Sequence, residues 1–160
     1  MLFESVLVFV VLVAGSLTAA SMGAVFRPGA WYAGLRKPAW VPPNRLFAPA
    51  WTVMYTLMTA AAFLVWHFGE GTVGTAALIA YAVQLGLNAL WSPVFFGLRR
   101  MGAGFAVVAA LWGAVLVTTL LFFQVSPWTG LLLVPYLAWV TFASALNLSV
   151  WRLNRAAEAG

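Results

Sequence analysis

Residues 103–125 read AGFAVVAALWGAVLVTTLLFFQV, an apolar run without a charged side chain. As an α-helix this run would be about 35 Å long at ~1.5 Å per residue, and the hydrocarbon core of a bilayer is about 30 Å thick. Four more runs of this kind lie at residues 5–25, 46–68, 74–96 and 128–151. The pattern predicts an all-α integral membrane protein, a bundle of five transmembrane helices.

The composition agrees with this fold class. Of the 160 residues, 64% are apolar and 7% are charged, whereas a soluble domain has roughly 25% charged residues. The five predicted helices and their loops use the whole chain, so residues 1–160 are expected to form a single membrane domain. Glu4 stands where a signal peptide carries its basic region, which favours a retained first helix. The absence of cysteine excludes disulfides and thiolate ligands.

The basic residues have a one-sided distribution. All eight fall in the first loop, the third loop and the C-terminal tail: Arg27, Arg36, Lys37, Arg45, Arg99, Arg100, Arg152 and Arg155. Because basic loops stay in the cytoplasm, we expect the N-terminus outside and the C-terminus in the cytoplasm if the host is an inner membrane. An outer membrane would void this inference. The topology also explains the net charge of +5, so nucleic acid is not expected as a partner.

The acidic residues and the single histidine lie outside the predicted spans. Glu4, Glu70 and Glu158 are at or beyond helix ends, which disfavours acid–base catalysis and ion-coupled pumping inside the bundle. His67 ends the second predicted helix, where a solvated interfacial residue is a simpler interpretation than a metal ligand. We therefore predict no metal site and no conventional enzyme.

Polar and aromatic residues recur on one face of the third predicted helix. Tyr81, Gln84, Asn88 and Trp91 are spaced three, four and three residues apart, which aligns them along the helix. Amide side chains in a span avoid lipid, so this face should point into the bundle. Two roles stay open for Gln84 and Asn88: they join helices, or they contact a ligand.

Aromatic residues also mark the second and fifth predicted helices. Trp51 and Tyr55 are four residues apart on the second helix. The fifth helix carries a stripe of this kind: Tyr136, Trp139, Ala143 and Asn147, adjoined by Leu146. Such stripes are usually core packing, and a pocket is the alternative. Several other tryptophans fall near predicted interfaces, where an aromatic belt explains them: Trp31, Trp40, Trp66, Trp128 and Trp151.

Small residues at four-residue spacing occur on the third and fourth predicted helices. On the third helix the pairs are Ala76 with Ala80 and Ala82 with Gly86; on the fourth the series is Ala106, Ala110 and Ala114. Small residues allow helices to approach closely, within one chain or between two. A homodimer through either face is therefore a candidate assembly.

Several segments together resemble the tryptophan-rich sensory protein family, also called translocator or peripheral benzodiazepine receptor proteins. The first loop reads WYAGLRKPAWVPP at residues 31–43, similar to the family signature WYxxLxKPxWxPP. APAW follows at 48–51, LNALWSPVFFG at 87–97 and PYLAW at 135–139. The similarity covers nearly the whole chain, in order and on matching helices.

The resemblance implies a five-helix bundle, often dimeric, that binds porphyrins, other tetrapyrroles and isoquinoline or benzodiazepine ligands. Porphyrin is a ligand in this family, and no cofactor is required. The pocket residues carried over by position are Trp51, Tyr55, Asn88, Trp91, Trp139, Ala143 and Leu146. Some bacterial relatives degrade protoporphyrin in light through two tryptophans that match Trp51 and Trp139, which makes these two the tentative catalytic residues.

The resemblance further implies that the first loop, at about residues 27–45, covers the pocket as a lid. Its candidate lid residues are Trp31, Arg36, Lys37, Trp40 and Pro43. A porphyrin presents carboxylate arms beside an apolar ring, so Arg36, Lys37 or Arg45 could pair with them. The cholesterol-recognition pattern of the family departs here, because Leu148 occupies the place of its tyrosine.

Three functional classes follow. A receptor or sensor needs reversible binding in an aromatic pocket, and it is the main prediction. A transporter of tetrapyrroles or other lipophilic molecules is the alternative, although the chain lacks the usual coupling residues. A light-dependent porphyrin-degrading enzyme is the third, because an indole side chain can give an electron to a photoexcited ring.

Overall fold

The computed structural model describes residues 2–158, and these residues form helices joined by short loops. The elements are α1 (Leu2–Val25), α2 (Ala30–Gly34), a 3-10 turn (Asn44–Leu46), α3 (Phe47–Phe68), α4 (Gly71–Ser92), a π turn (Pro93–Gly97), α5 (Met101–Val125) and α6 (Pro127–Glu158). Five of the helices, α1 and α3 to α6, are long and apolar enough to cross a membrane. The predicted fold class is confirmed.

The five long helices form a closed ring. Helix α1 packs on α3 and α4, α3 packs on α6, and α5 lies between α4 and α6. The interior between α3, α4, α5 and α6 is filled by apolar side chains such as Met58, Val115, Phe122 and Val140, all fully buried. The inward faces of these four helices therefore enclose the core, and α1 lies at the side.

Polar contacts attach α1 to the rest of the bundle. Its described buried residues are Ser16 and Ala19. The Ser16 hydroxyl lies 2.7 Å from Thr59 Oγ1 on α3 and 3.2 Å from the Tyr81 hydroxyl on α4. The remaining surface of α1 is largely exposed and apolar, as expected for a helix that faces lipid.

The end of α4 is shaped by Pro93. The sequence predicts a kink here, and the structure shows the α-helix ending at Ser92 and a π turn over Pro93–Gly97. Proline has no amide hydrogen and its ring crowds the preceding turn. The chain closes the wider turn with a hydrogen bond of 2.8 Å from the Leu98 amide to the Pro93 carbonyl.

The last helix is longer than predicted. The expectation that it ends at residue 151 and leaves a short polar tail is wrong, because α6 continues to Glu158. After Trp151 the chain has no proline or glycine before Gly160, and Arg, Leu and Ala are good helix formers. The extra turns bring Asn154 beside the first loop. Met1, Ala159, Gly160 and the side chains of Ala157 and Glu158 lie outside the part of the chain that the structure describes.

All three basic segments lie at one end of the bundle. The first loop contacts the C-terminal turns of α6 through Arg36 and Asn154, and Phe26 approaches the third loop so closely that a Cβ on Gly97 would be 2.8 Å from its ring. Glu4 and Glu70 lie at the opposite end, where α1 begins and where α3 meets α4. The side of the membrane that each end faces stays a prediction.

Most residues of the two small-residue faces point away from the bundle, whereas Ala80 and Ala114 are half-buried. Ala76, Ala82 and Gly86 are exposed on α4, and Ala106 and Ala110 are exposed on α5. A Cβ on Gly86 would meet no atom within 4 Å. These faces stay available to lipid or to a second copy, and the homodimer stays a prediction.

Candidate ligand-binding site

An aromatic cluster joins α3 and α6 near the basic end of the bundle. Trp51 and Tyr55 are one turn apart on α3, with ring centroids 5.7 Å apart. Trp139 of α6 meets Trp51 edge to face, at 6.2 Å and 87°. Tyr136 also contacts Trp51, at 6.3 Å. The structure therefore brings together the two tryptophans that the sequence singled out as tentative catalytic residues.

A chain of hydrogen bonds runs behind this cluster across three helices. The Tyr55 hydroxyl donates to Asn88 Oδ1 at 2.6 Å, and Asn88 Nδ2 donates to the Tyr136 hydroxyl at 2.7 Å. Tyr136 in turn donates to Gln84 Oε1 at 2.9 Å. Asn88 thus joins α3 to α6 with both ends of its amide. A ligand that takes a hydrogen bond from Asn88 competes with these partners.

The indole N–H of Trp139 is the exception among these polar groups. It is buried and has no hydrogen-bond partner among the described residues. A buried donor left without an acceptor costs about 1–3 kcal/mol relative to one that is paired. A rearrangement of the side chains that cover this N–H would be needed before it could donate to an acceptor.

A shallow, open cleft on the outer surface of the bundle has Trp139 in its wall. It has a volume of about 420 Å³ and lies between the first loop, the start of α3 and α6. Its lining is apolar and aromatic: Pro42, Leu46, Pro49, Ala50, Val53, Trp139 and Phe142. Ligand pockets usually measure ~300–1,000 Å³ with apolar walls and few polar groups; this cleft has a volume and a lining of that kind, but it is open on its outer side.

A second aromatic cluster lies under the first loop. Trp91 stacks on Phe95 at 5.5 Å and 18°, and its indole N–H donates to Asn147 Oδ1 at 3.0 Å. Trp31 of the loop meets Phe95 edge to face at 5.9 Å. Leu146 packs in the same cluster and is 7% exposed. Trp91 and Leu146 are therefore covered by the loop rather than open to the cleft.

Ala143 and two of the predicted lid residues, Trp40 and Pro43, lie at the edge of the cleft. Ala143 is half-buried on α6, one turn after Trp139. Trp40 is 49% exposed, yet its ring meets Phe142 at 5.7 Å beside the cleft. Pro43 is exposed, next to the lining residue Pro42. These residues border the cleft and do not enter the inner cluster.

The two neighbouring cations of the first loop, Arg36 and Lys37, have different surroundings. Lys37 Nζ donates to the carbonyls of Ala33 at 3.0 Å and Leu35 at 3.1 Å, and it lies 4.7 Å from the centre of the Tyr32 ring. Burial raises the pKa of the Tyr32 phenol above its ordinary value, so Lys37 meets a neutral ring. Lys37 therefore stabilises the short helix α2, whereas the Arg36 side chain is exposed and free to meet an anion.

Sequence reasoning missed the residue that fastens the loop. Asn154 is 7% exposed; its Oδ1 accepts from the Arg36 amide at 2.9 Å, and its Nδ2 donates to the Arg36 carbonyl at 2.8 Å. The side chain thereby pairs with a backbone amide and carbonyl of the lid. The signal available in the sequence is an isolated amide in the polar segment after Arg152.

Comparison with known proteins extends these observations. The model of the TspO/MBR family matches residues 6–152. The chain is 46% identical to Protein CrtK of Rhodobacter capsulatus, over 94% of each chain. It is 47% identical to the Tryptophan-rich sensory protein of Cereibacter sphaeroides, over 84% of each chain. It is 42% identical to the human Translocator protein, over 81% of this chain and 78% of the human protein. This chain is therefore a member of the TspO/MBR family of membrane proteins.

Proposed function

We propose that this protein is a membrane receptor or sensor that binds porphyrins and related tetrapyrroles at Trp51, Tyr55 and Trp139. The observation that carries the proposal is the apolar surface cleft of about 420 Å³ with Trp139 in its wall, where Trp139 also contacts Trp51 at 6.2 Å. Isoquinoline and benzodiazepine ligands share the flat aromatic shape and belong to the same proposal. The sensory name of the Cereibacter sphaeroides relative supports a receptor.

The chemistry of a porphyrin fits these residues. The macrocycle offers flat π faces for the edges and faces of Trp51 and Trp139, and aromatic pairs contribute ~0.5–1.5 kcal/mol beyond burial. Its propionates need cations at one rim, and Arg36 is exposed at this end of the bundle. A ligand that also reaches Trp91 and Leu146 must displace the loop rings that pack there. The lid therefore has to open for deep binding.

The test is quenching of tryptophan fluorescence by protoporphyrin, titrated in the dark against the purified protein. We expect saturable quenching that is weakened in a Trp51→Phe/Trp139→Phe variant with unchanged helix content. Quenching that rises linearly without saturation, or that is identical in the variant, would contradict the site.

A second candidate function is light-dependent degradation of the bound porphyrin. It is favoured by the edge-to-face contact of Trp51 and Trp139 at 6.2 Å, since an indole next to a photoexcited ring can give it an electron. Illumination of the porphyrin complex should then bleach the ring. A variant with both tryptophans replaced by phenylalanine that still binds but no longer bleaches would support the enzyme.

A third candidate, transport, is favoured by the name of the human relative, Translocator protein. Release on the far side of the membrane is its defining property. The efflux of porphyrin from vesicles that contain the purified protein distinguishes a transporter from a receptor, since a receptor leaves the efflux rate unchanged.

The proposed orientation places the N-terminus outside and the C-terminus in the cytoplasm. The proposed assembly is a homodimer through the exposed small residues of α4 or α5.

A further inference from the structure

A second cleft lies on the other side of the bundle, between α5 and the C-terminal turns of α6. It has a volume of about 350 Å³ and is lined by Phe105, Leu148, Trp151, Arg152 and Arg155. None of these residues belongs to the candidate ligand-binding site around Trp139. We propose that this cleft binds a phospholipid with an anionic headgroup, with its phosphate on Arg152 and Arg155.

The depth of the cleft in the bilayer fits a lipid. Residues 128–151 of α6 rise about 36 Å as a helix, which exceeds the ~30 Å hydrocarbon core. Arg152 and Arg155 follow directly and are exposed, so they lie at the level of the headgroups. Leu148 and Trp151 lie one turn or less below them, at the level where acyl chains begin.

The floor of the cleft is flat and apolar. Trp151 stacks on Phe105 of α5, at 5.8 Å and 23°. A Cβ on Gly102 would be 3.0 Å from Cε2 of Trp151, so glycine allows the indole to lie directly against the backbone of α5. The two stacked rings therefore form a continuous surface, which an acyl chain can cover.

The charges at the rim complement a phosphate. Arg152 and Arg155 are three residues apart and share a helix face, and a guanidinium donates paired hydrogen bonds to phosphate oxygens. Among the acids whose side chains the structure describes, Glu4 and Glu70 lie at the opposite end of the bundle. The rim therefore faces the headgroups with net positive charge, which favours an anionic lipid over a zwitterionic one.

The test is native mass spectrometry of the purified full chain, titrated with phosphatidylglycerol or phosphatidylcholine of matched acyl chains. We expect phosphatidylglycerol to bind more tightly than phosphatidylcholine. In an Arg152→Gln/Arg155→Gln variant its affinity should fall about 30-fold, since each basic residue near a lipid headgroup contributes roughly a fivefold factor. The matched control is Arg27→Gln/Arg99→Gln, which removes the same charge from the same end of the bundle outside this cleft.

A third variant separates the cleft from diffuse charge attraction. Leu148→Trp fills the cleft and leaves every charge in place, so it should also weaken phosphatidylglycerol binding. Equal losses in the two arginine variants, or no loss in Leu148→Trp, would overturn the proposal because the attraction would then be diffuse. Displacement of the lipid by inorganic phosphate at equal concentration would overturn it as well, since the site would then recognise the free anion.

Discussion

The pairing of Asn154 with the backbone of Arg36 yields the most specific prediction. Asn154 is nearly buried, and its amide makes two hydrogen bonds to Arg36, of 2.9 and 2.8 Å. Each intramolecular hydrogen bond contributes about 1 kcal/mol net. Asn154→Ala should therefore make opening of the first loop easier by about 2 kcal/mol, a factor of about 30 in the opening equilibrium.

Hydrogen exchange measures this opening directly. We expect the hydrogen-bonded amides of the loop, those of Ala33, Leu35 and Val41, to exchange about 30-fold faster in Asn154→Ala than in the unsubstituted protein, with the transmembrane segments unchanged. Asn154→Asp keeps the acceptor and loses the donor, so it should give an intermediate acceleration. Asn44→Ala is the matched control, because it removes an exposed amide from the same loop.

A small change in exchange would mean that Asn154 does not hold the loop closed. If Asn154→Ala exchanges within about threefold of the unsubstituted protein, the two hydrogen bonds contribute less than about 0.7 kcal/mol to closure. Faster exchange throughout all helices would instead report a loss of global stability. Either outcome would remove Asn154 as the fastening of the lid.

Three more predictions test the site itself. Trp139→Phe removes the unpaired donor, so the free energy of unfolding should stay the same or rise. The affinity for a ligand that accepts a hydrogen bond from this indole should fall about two- to tenfold. Equal affinities for the variant and the unsubstituted protein would contradict the donor role. Asn88→Leu breaks the link between Tyr55 and Tyr136 and should lower the unfolding free energy by about 1–2 kcal/mol, whereas Gln124→Leu, an exposed amide on α5, should not. Arg36→Ala, which leaves the contacts of Lys37 with α2 in place, should weaken binding of dicarboxylate porphyrin but not of its diester, and equal losses would exclude ion pairing by Arg36.

The fold could be predicted because each span is a local pattern. The length and apolar composition of residues 103–125 are sufficient to predict a transmembrane helix there, and α5 is found at Met101–Val125. The buried face of α4 could also be predicted from one segment, since Gln84 and Asn88 are buried as their spacing predicted. Periodicity within one helix is sufficient for both predictions.

The site was less predictable because its key features are relations between distant residues. Asn154 and Arg36 are separated by 118 positions, and no local pattern pairs them. The partners of Asn88 on α3 and α6 follow from how three helices pack. The unpaired indole of Trp139 is defined by what surrounds it in space. The resemblance to a known family pointed to Trp51 and Trp139, and the structure adds that their rings are in contact.

The most direct test of the account is the binding of protoporphyrin to the protein in phosphatidylcholine nanodiscs, followed in the dark by its Soret absorption. We compare Trp51→Phe/Trp139→Phe with Trp66→Phe/Trp128→Phe, which removes two tryptophans from the opposite end of the bundle. We expect saturable binding that weakens in the first variant and is unchanged in the second. Equal affinity in all three proteins, or no saturation in any, would contradict a porphyrin site at Trp51 and Trp139.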